Sequence, residues 1–273
     1  MKGGEDKMFR NIEGSAELTE TEKKLAGIAE SLAKKLLEEK VPVLPNLRID
    51  MATFEGIYPE SMLAADKQEV ERLEGIFRQK EGGSLSPEEY EKSKLKKDGE
   101  KLEILKTVIL NKFLNENFVV VRTSTFDDYK NGTDNIIMER ETGNVVCALD
   151  EASDTSGRDL EAKKQKILMQ NIKQGGNSIK YGITKDGESL TVGQGPASNV
   201  PMFYLTLPPH LIERGIKETS EIGAKPSDND KNLFKYFMAL FDAQLRLFKL
   251  EKGSNEEFKK KIETFKAAIK KVQ

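Results

Sequence analysis

Residues 118–151, FVVVRTSTFDDYKNGTDNIIMERETGNVVCALDE, contain three short apolar runs rich in β-branched residues. FVVVRTS, DNIIMER and NVVCALDE read as strands because each is bounded by polar, turn-forming residues. ETGN joins the second run to the third, and a turn-rich tetrapeptide there predicts a hairpin. Outward from this centre the period changes. Leu102, Leu105, Val108, Ile109, Phe113 and Leu114 precede it at helical spacing, and Leu160 to Ile172 follow as a helix that Gly175 and Gly176 terminate. SIKYGIT, ESLTVGQ and VPMFYLTL add three strand candidates. The resulting order is helix, strand, strand, strand, helix, strand, which predicts an α/β (α+β) fold with a mixed central sheet and flanking helices.

Helical extensions are expected at both ends. Thr19 and Glu22 have capping-box spacing ahead of Leu25, Ile28, Leu32 and Leu36, and Pro42 and Pro45 stop that helix. A second stretch carries Met62, Leu63, Val70, Leu73, Ile76 and Phe77 before Gly82 and Gly83. Ser86, Pro87 and Glu89 start a third, strongly charged helix. Beyond the strands, Pro209 opens a short helix, GAKPSDND forms a loop, and residues 230–251 read as a long helix rich in Leu, Phe and Met. Ser254 and Glu257 box a last helix with the stripe Phe258, Ile262, Phe265 and Ile269. The expected division is a helical region over 1–98, an α/β core over 99–208 and C-terminal helices over 209–273 that pack on the core.

Composition narrows the function classes. At 273 residues the chain buries a sizeable core without needing disulfides or metals. Its 44 basic and 46 acidic residues nearly cancel, so attraction to nucleic acid or an anionic membrane has to be local. One cysteine, Cys147 in VVCAL, cannot form an intramolecular disulfide and reads as core. A single histidine, His210, excludes multi-histidine zinc sites and has no nucleophile motif beside it. With no signal-like apolar run near the N-terminus and no stretch of about 20 apolar residues, a cytoplasmic protein with no membrane partner is expected.

Acid-base chemistry therefore rests on carboxylates, lysines and tyrosines. Asp127, Asp128, Asp134, Asp150 and Glu151 surround the strand pair. An antiparallel hairpin brings Asp134, opening the second strand, beside Asp150, closing the third, where the two can share one cation. Alternation separates Asp150 from Glu151, so only one of these two faces a given site.

This element order, with an Asp at the second strand and an acidic pair ending the third, resembles the PD-(D/E)XK nuclease superfamily over about residues 100–185. The resemblance implies a divalent-metal phosphodiesterase. In it Asp134 and Asp150 are the motif acids, Glu103 the helix glutamate, and Glu151 or Asp128 assists at Mg²⁺ or Mn²⁺. The motif lysine falls at Ala152, or at Ser153 if Glu151 is the acid, and neither supplies an ammonium. A displaced lysine is then required, from Lys163, Lys164 or Lys166 in the next helix or Lys180 on the next strand. Such a protein acts on nucleic acid.

A blander reading stands beside it. Asp127 and Asp128 suit a turn, acids at strand ends are often solvated, and Asp154, Thr155 or Ser156 suits the cap of the next helix. The chain is then a non-catalytic binding or scaffolding module of the same fold. Arg122, a charge within a strand, needs either an acidic partner or a phosphate. The lysine runs at 94–97, 163–166 and 259–261 alternate with acids and read as solvated faces, and GQGPAS at 193–198 lacks the spacing of a phosphate loop. An apolar face left exposed on the helix over 230–251 would mark self-association.

Overall fold

The computed structural model describes residues 17–80, 85–152, 157–186, 189–192, 196–247 and 256–272. The elements run α1 (Glu20–Glu38), α2 (Glu60–Lys80), α3 (Pro87–Lys94), α4 (Asp98–Leu114), β1 (Phe118–Arg122), β2 (Asn135–Glu139), β3 (Val145–Ala152) and α5 (Arg158–Gln174). They continue with β4 (Asn177–Ile179), β5 (Ile183–Asp186), β6 (Ser189–Val192), β7 (Ala197–Val200), β8 (Met202–Thr206), α6 (Pro209–Glu218), α7 (Asp228–Leu247) and α8 (Glu256–Val272). The fold is α/β. Its central sheet has the order β1-β2-β3-β8 and is mixed, because β8 runs parallel to β3 while the other pairs are antiparallel.

Local chemistry accounts for the borders. Thr19 and Ser86 each bond the backbone three residues on while Glu22 and Glu89 reach back, so α1 and α3 both begin with a complete capping box. The β2–β3 hairpin closes through Gly143 at φ 69°, with its N–H donating to Glu139 O at 2.8 Å. Gly175, also at φ 69°, ends α5.

Two expected strands divide. SIKYGIT becomes β4, paired with β7, and β5, paired with β6, so β4 to β7 form two small ribbons outside the central sheet. VPMFYLTL splits at Pro201, which has no N–H for a ladder, into the end of β7 and all of β8. The glycine stop at 82–83, the cap candidates 154–156 and Ser254 lie outside the described residues.

α4 lies against β1 and is also packed by α1, α6 and α7. Phe203 of β8 meets Phe241 of α7 and Phe265 of α8 at 5.5 and 5.1 Å between ring centroids. α5 packs along β8. The stripe Leu233, Phe234, Phe237, Met238, Phe241 and Leu245 of α7 is buried, and Tyr236 and Leu247 are the large apolar side chains that α7 leaves exposed among the described residues. No helix among those residues is long and apolar enough to cross a membrane.

Both sheet edges are covered. Residues 47–49 run beside β1, with Arg122 N donating to Leu47 O and Ile49 N donating to Arg122 O, each at 3.0 Å. At the far edge Gln244 of α7 accepts from Tyr204 N at 2.9 Å and donates to Tyr204 O at 2.8 Å.

The junction of α6 and α7 is pinned by buried Asp230. Its carboxylate accepts from Thr219 Oγ1, Ser220 Oγ, Ser227 N and Lys112 Nζ of α4, at 2.5, 2.6, 3.0 and 3.0 Å. Burial pushes its pKa up, but the bonds from Ser220, Thr219 and Lys112 prevail and hold it at about 2, below its ordinary 3.8. The folded state thus binds this proton less tightly than the unfolded chain. The stabilisation is complete above about pH 4 and disappears as pH falls toward 2. Asp230→Asn is expected to lower unfolding free energy at pH 7 by about 1–3 kcal/mol. Urea titrations at pH 7 and pH 3 should show the variant losing less on acidification than the wild type.

Candidate metal centre

Three elements supply the site. Glu103 and Lys106 are three apart on α4, so both project from the face turned to the sheet. Asp134 precedes β2 and extends the hairpin ladder by one pair: its N–H donates to Leu149 O, and its Oδ2 accepts from Glu151 N, both at 2.9 Å. Glu151, near the end of β3, points toward α4. One oxygen each from Glu103, Asp134 and Glu151 lie within 4.8 Å of one another.

Around this trio the charges are dense. Lys106, fully buried, forms an ion pair with Glu151. Glu103 accepts from Arg122 at 2.6 Å, and Arg122 also grips Glu100 at 2.7 Å. Arg48 holds Asp128 at 2.8 Å and reaches Glu103 at 3.4 Å. Burial raises the Asp134 pKa well above its ordinary value, and the neighbouring charges of Glu103, Asp128 and Asp150 push it further up against the pull of Lys106. Glu103 is raised by burial despite Arg122. Lys106 is pushed down to about 7, since desolvation outweighs the attraction of Asp134, Glu103 and Asp150. Glu100 goes the other way: burial opposes its charge, but Arg122 and Arg48 hold it down at about 2.

The donor set suits a hard divalent cation. Oxygens sharing an ion of the Mg²⁺ or Ca²⁺ class at about 2.0–2.6 Å stand roughly 3–5 Å apart, the spacing of this trio. Glu151 Oε1 is taken by the Lys106 ammonium, whereas Oε2 accepts no hydrogen bond among the described residues and keeps its lone pairs in a buried setting where an unused acceptor is costly. Residues Glu103, Asp134 and Glu151 fit such an ion.

The placement differs from the expected one at several residues. Asp134 lies in the cluster, but its partners are Glu103 and Glu151 rather than Asp150. Strand alternation turns Asp150 to the α5 face, where Lys163 holds it at 2.6 Å, next to Tyr204 in the β3–β8 register. Lys164 stays on that same face, paired with Glu161 at 2.7 Å and 5.7 Å from the Tyr204 ring. Asp128 borders the trio through Arg48.

Lys180 is elsewhere. Its ammonium pairs with Asp66 and lies 4.9 to 5.9 Å from the rings of Phe126, Tyr181 and Tyr58, an aromatic cage that desolvates one cation among three faces. Asp127 makes the turn read from its sequence, accepting from Ser124 Oγ, Asn131 Nδ2 and the N–H groups of Lys180 and Tyr181. Ala152 occupies the motif-lysine position, and Ser153 lies outside the described residues.

Lys106 is the ammonium that sequence reading passed over. Its signal is a lone lysine in LEILKTVIL, one turn beyond Glu103, on a helix apolar enough to be buried on most sides. Compared with known proteins, the chain matches no family model, and no curated protein or solved structure matches it.

Lys106→Met removes the counter-charge of buried Glu151 and should destabilise the protein by about 3 kcal/mol at pH 7. Adding Glu151→Met removes the stranded carboxylate and should restore most of the loss. Urea unfolding of the two variants beside the wild type measures both changes.

Proposed function

We propose that the protein is a divalent-metal-dependent phosphodiester hydrolase of nuclease type, with Glu103, Asp134 and Glu151 holding Mg²⁺ or Mn²⁺. The observation that carries this reading is the convergence of three carboxylates from α4, the β2 start and β3 on a point that also receives a buried lysine. When bound, such an ion supplies Lewis-acid charge for the phosphate and acidifies water. Lys106 does the chain's own share of proton work. With its pKa drawn down to about 7, it holds or yields a proton near neutrality, which an ordinary lysine does poorly. Arg122 and Arg48 keep the Glu103 carboxylate aimed at the sheet.

The resemblance to PD-(D/E)XK nucleases carries over with a change: the strand that follows α5 within the central sheet is β8, beyond the 100–185 span, and not the SIKYGIT segment, whose β4 and β5 lie in ribbons outside that sheet. In this reading Glu151 is the second acid and Lys106, from the first helix, takes over for the missing strand lysine.

A second reading keeps the acids structural, in a non-catalytic binding or scaffolding module. What favours it is that cations of the chain already answer the acids: Lys106 pairs with Glu151, while Arg122 and Arg48 hold Glu103.

Isothermal titration of Mn²⁺ separates the two. The metal reading expects binding by the wild type and by Asp150→Asn, loss in Asp134→Asn and Glu151→Gln with folding checked by circular dichroism, and Mg²⁺-dependent oligonucleotide cleavage that Lys106→Met reduces at least about a hundredfold. Absence of Mn²⁺ binding and of cleavage in the wild type would leave the scaffolding reading.

A further inference from the structure

Between α2, α3 and the first turns of α4 lies a cavity of about 430 Å³, within the roughly 300–1,000 Å³ of small-ligand pockets. Glu103, one of the carboxylate trio, is part of its wall. Its chemistry is cationic and aromatic. Arg48 lines it with an unusual asymmetry: Nη2 serves Asp128 and Glu103, whereas Nη1 is buried and has no hydrogen-bond partner. A guanidinium N–H left without an acceptor in a buried place is expensive, and an anionic oxygen entering the cavity would satisfy it.

Around that donor stand Lys80 and Lys97 on the exposed rim and Lys94 inside, 4.8 Å from the Tyr90 ring centroid and paired with Glu74 and Glu91. Phe77 and Tyr129, both half-buried, meet edge to face at 5.2 Å between centroids on the same wall. The other acids of the lining are paired, Glu100 with Arg122 and Asp128 with Arg48, so Arg48 offers an incoming oxygen its Nη1 donor while the excess positive charge comes from the lysines.

We propose that this cavity receives one unstacked nucleotide of a single-stranded nucleic acid, its phosphate on Arg48 and the lysines and its base against Phe77 and Tyr129. The proposal rests on the phosphodiesterase reading and deepens it by naming the substrate class. Cations that track a backbone beside aromatic faces are the means by which proteins hold single strands. A duplex keeps its base faces stacked, and aromatic side chains recessed between helices do not reach them. The near-neutral net charge of the whole chain agrees with a local rather than global attraction.

The test is fluorescence anisotropy with labelled oligonucleotides of about 12 residues, single-stranded DNA, single-stranded RNA and the DNA duplex, run in EDTA and again with Ca²⁺. The wild type should bind one or both single strands at least about tenfold more tightly than the duplex. Lys80→Ala with Lys97→Ala, both on the exposed rim, should weaken that binding about tenfold and flatten its salt dependence. Tyr129→Leu should weaken it by a similar factor with the salt dependence unchanged.

Equal or tighter duplex binding, no single-strand binding in either buffer, or variants that bind like the wild type would overturn the proposal. The same preparations titrated with Mn²⁺ tell the two ideas apart. Single-strand binding without Mn²⁺ binding removes the metal centre and keeps the cavity, while Mn²⁺ binding without single-strand binding removes the cavity and keeps the centre.

Discussion

Two arginines standing side by side set the terms for the rest of the molecule. Arg48 and Arg122 are bridge partners on adjacent extended segments, and both are buried. Two like charges out of water at that distance are untenable without counter-charge. Glu100 and Glu103, one turn apart on α4, and Asp128 from the turn after β1 provide it. The need for those acids fixes the rotation of α4 over the sheet, since the face bearing Glu100 and Glu103 has to look toward β1. Once that face is fixed, Lys106 points at the end of β3, and the trio assembles as a consequence of the same alignment.

The pair also divides the labour of the acids. Glu100 is held strongly ionised by Arg122 and Arg48 together, while Glu103, shared between the arginines and the trio, is pushed toward its neutral form by burial. Asp134 and Lys106 are shifted in opposite senses, acid up and base down, because burial disfavours the charged form of each.

Much of the fold was legible because its signals are local. The capping boxes at Thr19 and Ser86, the β-branched run of β1 and the glycine that ends α5 each act within a few residues, and the structure has all of them where the sequence indicates. The division of SIKYGIT into two strands was not legible, because pairing with β7 and β6 is decided by segments far along the chain. At the site, Asp134 and Glu151 could be read from strand position, and alternation warned that Asp150 and Glu151 part company. Which of those two faces α4 depends on the side of the sheet that the helix covers, and no spacing within β3 encodes that. Lys106 was hidden for a related reason. A lysine inside an apolar helix looks like an interruption until the carboxylate opposite it is known.

The edges of the sheet carry a consequence of their own. Open strands are templates for pairing with another chain, the usual route from a four-stranded sheet to aggregates or swapped dimers. Here one flank is closed by the 47–49 segment bonded to Arg122, and the other is met by the Gln244 amide, which copies a peptide group by offering a donor and an acceptor to Tyr204. A side chain thereby does what a neighbouring strand would otherwise do. The molecule guards a strongly β-prone centre against its own copies with three residues of loop and two side-chain amides, Gln244 at Tyr204 and Asn111, which bonds the N–H and C=O of Val120 in the same way.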